Sequence, residues 1–346
     1  MEAVLFNVES GYAEALCRGL SSSLIKSAQY SNMTQCDTLE DLKLQLGATD
    51  YAQSLANVAS PISTSDFQNR LFAKLVADFR YLQTTAVEPL SKFLEYITYG
   101  YMIDNVVLMV SGTLHHRNKE ELLERAHPLG WFDTLPALSV TTDIESLYDV
   151  VLVDTPLAPY FKECFTVAQI SDLQIEIIRN KLYRAYLEDF AQFCKTLPGS
   201  TYESMIKMLG FEADCRTINI AVNSNGTGLS RADREALMPR LGALYPVISS
   251  QLARSEDPEQ VRAVVEQCAV PEFTDCFDSS NGQTLEDHFY AEGIVLCREA
   301  LTQQFSYATF YAWLKAAEQE VRNVTWIAEC IAQNQRERIS GYVSLF

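Results

Sequence analysis

Acids grouped at helical spacing are the residues of this chain most suited to chemistry. Asp37-Thr38-Leu39-Glu40-Asp41 is the densest group. Mg²⁺ takes carboxylate and phosphate oxygens. Helical enzymes that ionise diphosphates through Mg²⁺ set such acids on facing helices, so an all-helical Mg²⁺-dependent enzyme acting on a diphosphate is one reading. The other assigns the acids to helix starts, where they complement the helix dipole. Each acidic cluster stands at such a start, and no basic cluster that could hold a diphosphate stands beside it. The second reading is therefore favoured. His115, His116 and His127 lie near Glu120, Glu121 and Glu124, but the His-Glu-x-x-His spacing of a metal site is missing. So are the G-x-x-x-x-G-K and G-x-G-x-x-G phosphate cradles and the G-x-S-x-G nucleophile elbow. No catalytic, cofactor-binding or metal-binding residue is nominated, and no cofactor is expected.

The same acids can be placed on a repeated element. Asp37 is read as an N-cap with Glu40 reaching back to it, which is capping-box spacing, and Leu39, Leu42 and Leu46 share the face that follows. Thr142 and Glu145 open a second such unit, with Ile144, Leu147 and Val151 as its stripe. Asp257 opens a third, with Pro258 at the first helical position, Glu259 beside it, and Val261 and Val265 on one face. The steps between units are too long for a short solenoid repeat. A second set of acids precedes the units. Glu14, Asp104 and Asp214 each follow a glycine–aromatic pair, Gly11-Tyr12, Gly100-Tyr101 and Gly210-Phe211. Acids in such apolar surroundings need partners if buried. Arg18 is four residues from Glu14 and within reach on a helix; Arg179 and Arg216 are the candidates for the other two. These read as structural ion pairs rather than catalytic groups.

The elements that position these residues are helices. Tyr12, Leu16 and Leu20 share a face of the first. Leu71, Leu75 and Phe79 mark another over Phe67 to Leu82, and Phe93 to Val110 is apolar nearly all round, as a buried helix would be. Ile175 to Cys194 is a further helix, and Phe211 to Val222 is compatible with helix or extended chain. Thr284-Leu285-Glu286-Asp287 echoes Thr38-Leu39-Glu40-Asp41 and starts the proline-free C-terminal part, where Val321, Val324, Ala328 and Ile331 form a stripe. Alternating strand patterns are scarce, so the class is all-α.

Bulk properties restrict the function. The chain has 346 residues, 48% of them hydrophobic, which is ample for a large core. A net charge of −18 argues against nucleic acid as a partner and against electrostatic docking on anionic lipid. No apolar run is long enough to span a bilayer, so direct membrane insertion is not expected. The N-terminus lacks the basic region and long apolar region of a signal peptide, which points to the cytosol. The nine cysteines form no C-x-x-C pair and read as free, mostly buried thiols. The sequons at Asn32, Asn225 and Asn323 would then carry no glycan.

Several stretches together resemble the d subunits of the membrane sector of V-type proton ATPases, in their fungal form. They are Gln35-Cys36-Asp37-Thr38-Leu39-Glu40-Asp41-Leu42-Lys43, Tyr96-Ile97-Thr98-Tyr99-Gly100-Tyr101-Met102-Ile103-Asp104-Asn105, His127-Pro128-Leu129-Gly130 and Val153-Asp154-Thr155-Pro156-Leu157-Ala158. Ile175-Glu176-Ile177-Ile178-Arg179-Asn180, Phe211-Glu212-Ala213-Asp214 and Trp326-Ile327-Ala328-Glu329-Cys330-Ile331-Ala332-Gln333 add to them. Lys195 to Met208 and Val222 to Glu235 depart from the pattern. The resemblance implies one compact, funnel-like, all-helical body of three related parts in pseudo-threefold arrangement, over residues 1–90, 91–200 and 201–346. It implies a non-catalytic rotor subunit on the cytosolic face of vacuolar and other endomembranes. Such a subunit sits on the proteolipid c-ring and receives the central stalk subunits D and F, with subunit a as a further candidate neighbour. Rotation driven by ATP hydrolysis would thereby drive proton translocation.

Overall fold

A computed structural model describes residues 2–140, 154–161, 172–278 and 283–346. Among them are fifteen α-helices and no strand. In chain order they are α1 (Glu2–Ser23), α2 (Ser27–Met33), α3 (Leu39–Leu46), α4 (Ala52–Ala56), α5 (Thr64–Thr85), α6 (Leu90–Leu114) and α7 (Lys119–Arg125). There follow α8 (Ala158–Phe161), α9 (Asp172–Cys194), α10 (Thr201–Asn223), α11 (Arg231–Leu237), α12 (Val247–Leu252), α13 (Pro258–Gln267), α14 (Leu285–Thr302) and α15 (Ala308–Ala332). Phe211 to Val222, ambiguous in sequence, is helical. No described helix is long and apolar enough to cross a membrane.

The chain divides into two compact units. One comprises Met1–Ser91, Pro198–Ser204 and Cys276–Phe346; the other comprises Lys92–Leu197 and Met205–Asp275. In the first unit α15 is the central helix. Its stripe of Val321, Val324, Ala328 and Ile331 is buried, and so are Phe310, Trp313, Leu314 and Ala317. Alanines at 308, 312, 316 and 317 keep its surface low, so α14 and α5 pack closely against it. α5 turns Phe67, Leu71, Leu75, Phe79 and Leu82 inward, the face its sequence spacing marks. α1 presents Phe6, Ala13 and Cys17 to the core. Tyr12, which the sequence reading groups with Leu16 and Leu20, is on the outer face and 63% exposed.

In the second unit aromatic rings join α6 to α9. Tyr96 stacks on Phe190 and Phe193 at centroid distances of 5.2 and 4.5 Å, and Phe93 meets Phe190 at 5.5 Å. The Tyr96 and Tyr160 hydroxyls both donate to Asp189, at 3.1 and 2.7 Å. His127-Pro128-Leu129-Gly130 forms a tight turn held on α6 by Asn105. The Asn105 amide donates to the His127 carbonyl at 2.9 Å and accepts from the His127 N–H at 2.7 Å.

Four described helix starts share one capping box, and it corrects the sequence reading at the first unit. The N-cap of α3 is Thr38, not Asp37. The Thr38 hydroxyl accepts from Asp41 N–H at 3.1 Å, and the Asp41 carboxylate accepts from Thr38 N–H at 3.1 Å. The same Ser/Thr-x-x-Asp box opens α5 (Ser63, Asp66), α11 (Ser230, Asp233) and α14 (Thr284, Asp287). In these four boxes the third helical residue is Asp, one methylene shorter than the Glu of the usual box, and at α3 the cap moves by one residue. Asp257 caps α13, accepting from Gln260 N–H at 2.8 Å, with Pro258 next. Thr142 and Glu145 lie outside the described residues. Thr38→Ala and Asp257→Ala are each expected to lower unfolding free energy by about 1 kcal/mol, the usual loss for an N-cap. Asp37→Ala should leave it nearly unchanged. Urea melts of the three variants check this; equal losses at Asp37 and Thr38 would contradict the assignment.

Candidate functional site

Three of the acids that could have formed a site, Asp37, Glu40 and Asp41, each have a separate partner. Asp37 pairs with Arg336 at 2.5 Å. Glu40 accepts from Ile62 N–H at 3.3 Å, and Asp41 belongs to the α3 capping box. Glu259 is exposed in the first turn of α13. The acidic cluster at 37–41 therefore does not converge with acids of a second helix, as a diphosphate-ionising site requires. Among the described residues no three His, Cys, Asp or Glu side chains are placed to hold one metal ion. His115 and His116 are exposed. His127 accepts Leu129 N–H on Nδ1 at 3.1 Å and stacks on Tyr101 at 3.9 Å. The eight described cysteines form no disulfide, and all are buried except the half-buried Cys268.

The second set of acids does structural work, with two corrections. Glu14 is buried and accepts from Arg18 at 3.0 and 2.6 Å and from Phe305 N–H at 3.2 Å. Arg18 also donates to the carbonyls of Leu301 and Gln303. The pair expected from helical spacing thus clasps the α14–α15 connection. Asp104 is not buried. Its side chain is 46% exposed, and Arg179 stands 3.6 Å away, a surface pair of small energetic weight. Asp214 is buried, but Arg216 is not its partner. Arg216 bonds Glu212 at 3.1 Å and lies over the Tyr183 ring. Asp214 instead accepts backbone N–H groups of Ala243 and Leu244, at 2.7 and 3.0 Å. Burial pushes its carboxyl up to about 7, while those two donors pull the other way.

One acid escaped the sequence reading. Glu320 is buried in α15, accepting from Ile25 N–H at 2.5 Å and from the Tyr51 hydroxyl at 2.7 Å. It ties the α1–α2 connection and the residue preceding α4 to the central helix. Burial pushes its carboxyl up to about 7 against those donors and the positive charges of Lys74 and Lys26. The sequence did carry a signal, since Trp313, Ala317, Glu320, Val324 and Ile327 fall on one apolar stripe.

A helical body whose acids brace loops and cap helices suits a mechanical part. Comparison with known proteins gives the family. The family described as ATP synthase (C/AC39) subunit matches residues 13–342. The chain belongs to this family. V-type proton ATPase subunit d of Saccharomyces cerevisiae is 53% identical to this C/AC39 family member over the whole length of both chains. The Neurospora crassa subunit d is 49% identical, again over both whole chains. V-type proton ATPase subunit d1 of Arabidopsis thaliana is 48% identical over 99% of this chain and 98% of that one. This C/AC39 chain has the role of a V-type proton ATPase subunit, a non-catalytic one.

Proposed function

We propose that this protein is the rotor part that couples the central stalk to the proteolipid c-ring. ATP-driven rotation of stalk subunits D and F would pass through it to the ring and drive proton translocation and organelle acidification. The carrying observation is the full-length likeness to V-type proton ATPase subunit d. The fold is in keeping with that role. A torque-bearing part must not flex; α15 packs against α14 and α5 and is bound through Glu320 to the α1–α2 connection, while the Glu14–Arg18 pair ties α1 to the α14–α15 connection. With no described membrane-crossing helix, attachment would come from protein contacts with the ring, on the cytosolic face of vacuolar and other endomembranes. Subunit a is a further neighbour in this reading. The three-part division at residues 90 and 200 belongs to the same proposal.

Removal of the chain from its host is the test. Proton pumping into isolated vacuolar vesicles should be lost, and proteolipid and stalk subunits should no longer co-purify. Normal pumping without the chain would overturn the proposal.

A further inference from the structure

The loop that joins α10 to α11 in the second unit brings together an unengaged amide, an unengaged backbone nitrogen and open space. α10 ends at Asn223. Ser224-Asn225-Gly226-Thr227 then turns the chain. The Thr227 N–H donates to the Ser224 carbonyl at 3.3 Å, and the Thr227 hydroxyl donates to the same oxygen at 2.7 Å. Asn225 and Gly226 are the two central residues of that turn. Gly226 is exposed, its φ is +76°, and a Cβ there would meet nothing within 4 Å. Its N–H donates no hydrogen bond. The Asn225 side chain is equally unengaged. Its amide oxygen and nitrogen are both buried and have no hydrogen-bond partner. Such groups are rare, because each forgoes the bonds it would make in water. Nothing therefore ties this amide away from the backbone nitrogen that follows it.

The neighbouring asparagines show ordinary restraint. Asn223-Ser224 is also an asparagine followed by a small residue, but the Ser224 N–H is held on the Ile220 carbonyl at 2.9 Å. Asn219 lies inside α10 and is followed by β-branched Ile220. Asn281-Gly282 lies outside the described residues. Asn225-Gly226-Thr227 spells a glycosylation sequon, yet its amide nitrogen is buried. The reaction this geometry allows needs no enzyme.

We propose that Asn225 is a self-modifying site at which the chain deamidates through a cyclic imide. The Gly226 nitrogen gives its proton to solvent and attacks Cγ, the side-chain carbonyl carbon of Asn225. The Cγ–Nδ2 bond breaks, and Nδ2 leaves as ammonia after taking up a proton. Water then opens the five-membered ring at either carbonyl, leaving aspartate or isoaspartate. One water is consumed and one ammonia released, and no oxidant or reductant enters. The product places a carboxylate just past the C-terminal end of α10, where the helix dipole disfavours negative charge. In isoaspartate the backbone also gains a methylene, which separates Thr227 from the Ser224 carbonyl. Both changes loosen the 223–230 loop and open it to proteolysis, to which exposed loop tips are prone. The inference is independent of the subunit assignment.

The test follows the folded full-length chain held at mildly alkaline pH, with samples denatured and digested by trypsin at intervals. Cleavage after Arg216 and Arg231 releases one peptide, Thr217 to Arg231, that carries Asn219, Asn223 and Asn225 together. Fragment masses then compare the sites within one molecule. Aspartate and isoaspartate should accumulate at position 225 at least about tenfold faster than at 223, the change expected from one hydrogen bond of restraint. The folded rate at 225 should lie within about tenfold of the rate in urea. Asn225→Gln, whose imide ring would be six-membered, should stay unconverted at 225 and keep the wild-type melt. A smaller ratio between 225 and 223 would overturn the site. So would a folded rate more than about tenfold below the urea rate, because the fold would then protect Asn225.

Discussion

Gly130→Ala is expected to lower unfolding free energy by about 3 kcal/mol or more, at the upper end of overpacking losses. A Cβ at position 130 would stand 2.3 Å from the Tyr101 carbonyl carbon, 2.4 Å from its oxygen and 2.6 Å from the Met102 nitrogen. All three are backbone atoms in the middle of α6, and a helix backbone cannot move aside as a side-chain tip can. The turn cannot retreat either. Asn105 grips His127 from both sides, and Leu129 is buried. Gly112→Ala is the comparison. There the added methyl meets the Leu122 side chain at 2.4 Å, and a leucine can change rotamer, so a loss of about 1 kcal/mol is expected. Urea melts of both variants decide it. A loss at Gly130→Ala no larger than about 1 kcal/mol would mean that the turn is free to shift off α6.

This turn also shows what the sequence could and could not tell. His127-Pro128-Leu129-Gly130 was legible as a helix break and as part of the family resemblance. That its glycine is needed for close backbone approach was not legible, because the opposing atoms come from residues about thirty positions earlier. Helix class and most helix faces were readable, since spacing of three and four is a local property. Leu71, Leu75 and Phe79 are inward as their spacing says, whereas Tyr12 is outward. A 22-residue helix with apolar side chains on both faces does not say which face wins. The cap at α3 was displaced by one residue because Asp and Glu compete for the same role at neighbouring positions. For the buried acids, local partners were readable and distant ones were not. Arg18 lies one turn from Glu14, but Asp214 binds the backbone of a loop some thirty residues later, where any residue type supplies the N–H.

Glu320 offers the cleanest test of a pH effect on this protein. Its carboxyl rises from an ordinary 4.5 to about 7 in the fold. A carboxyl raised in this way binds its proton more tightly folded than unfolded, so stability falls as pH rises. The contribution is fully present below about 4.5 and is lost as pH climbs through about 7. At 1.36 kcal/mol per pK unit the loss is on the order of 3 kcal/mol. Glu320→Gln separates charge from hydrogen bonding. Its carbonyl can accept from Ile25 N–H while its amide donates to the Tyr51 hydroxyl oxygen, as a protonated carboxyl would. The variant should therefore match wild type near pH 5 and exceed it near pH 8, giving a flatter curve. Glu320→Ala should be less stable than wild type at acid pH by about 1–3 kcal/mol, because it leaves two buried donors without partners. The other raised carboxyl, Asp214, offers no such clean test. Asparagine there would set its NH₂ against one of the two backbone N–H groups that Asp214 accepts. Denaturant melts of wild type and the Gln variant across pH 5 to 8 are decisive. Parallel curves would show that Glu320 is ionised throughout, with its two donors outweighing its burial.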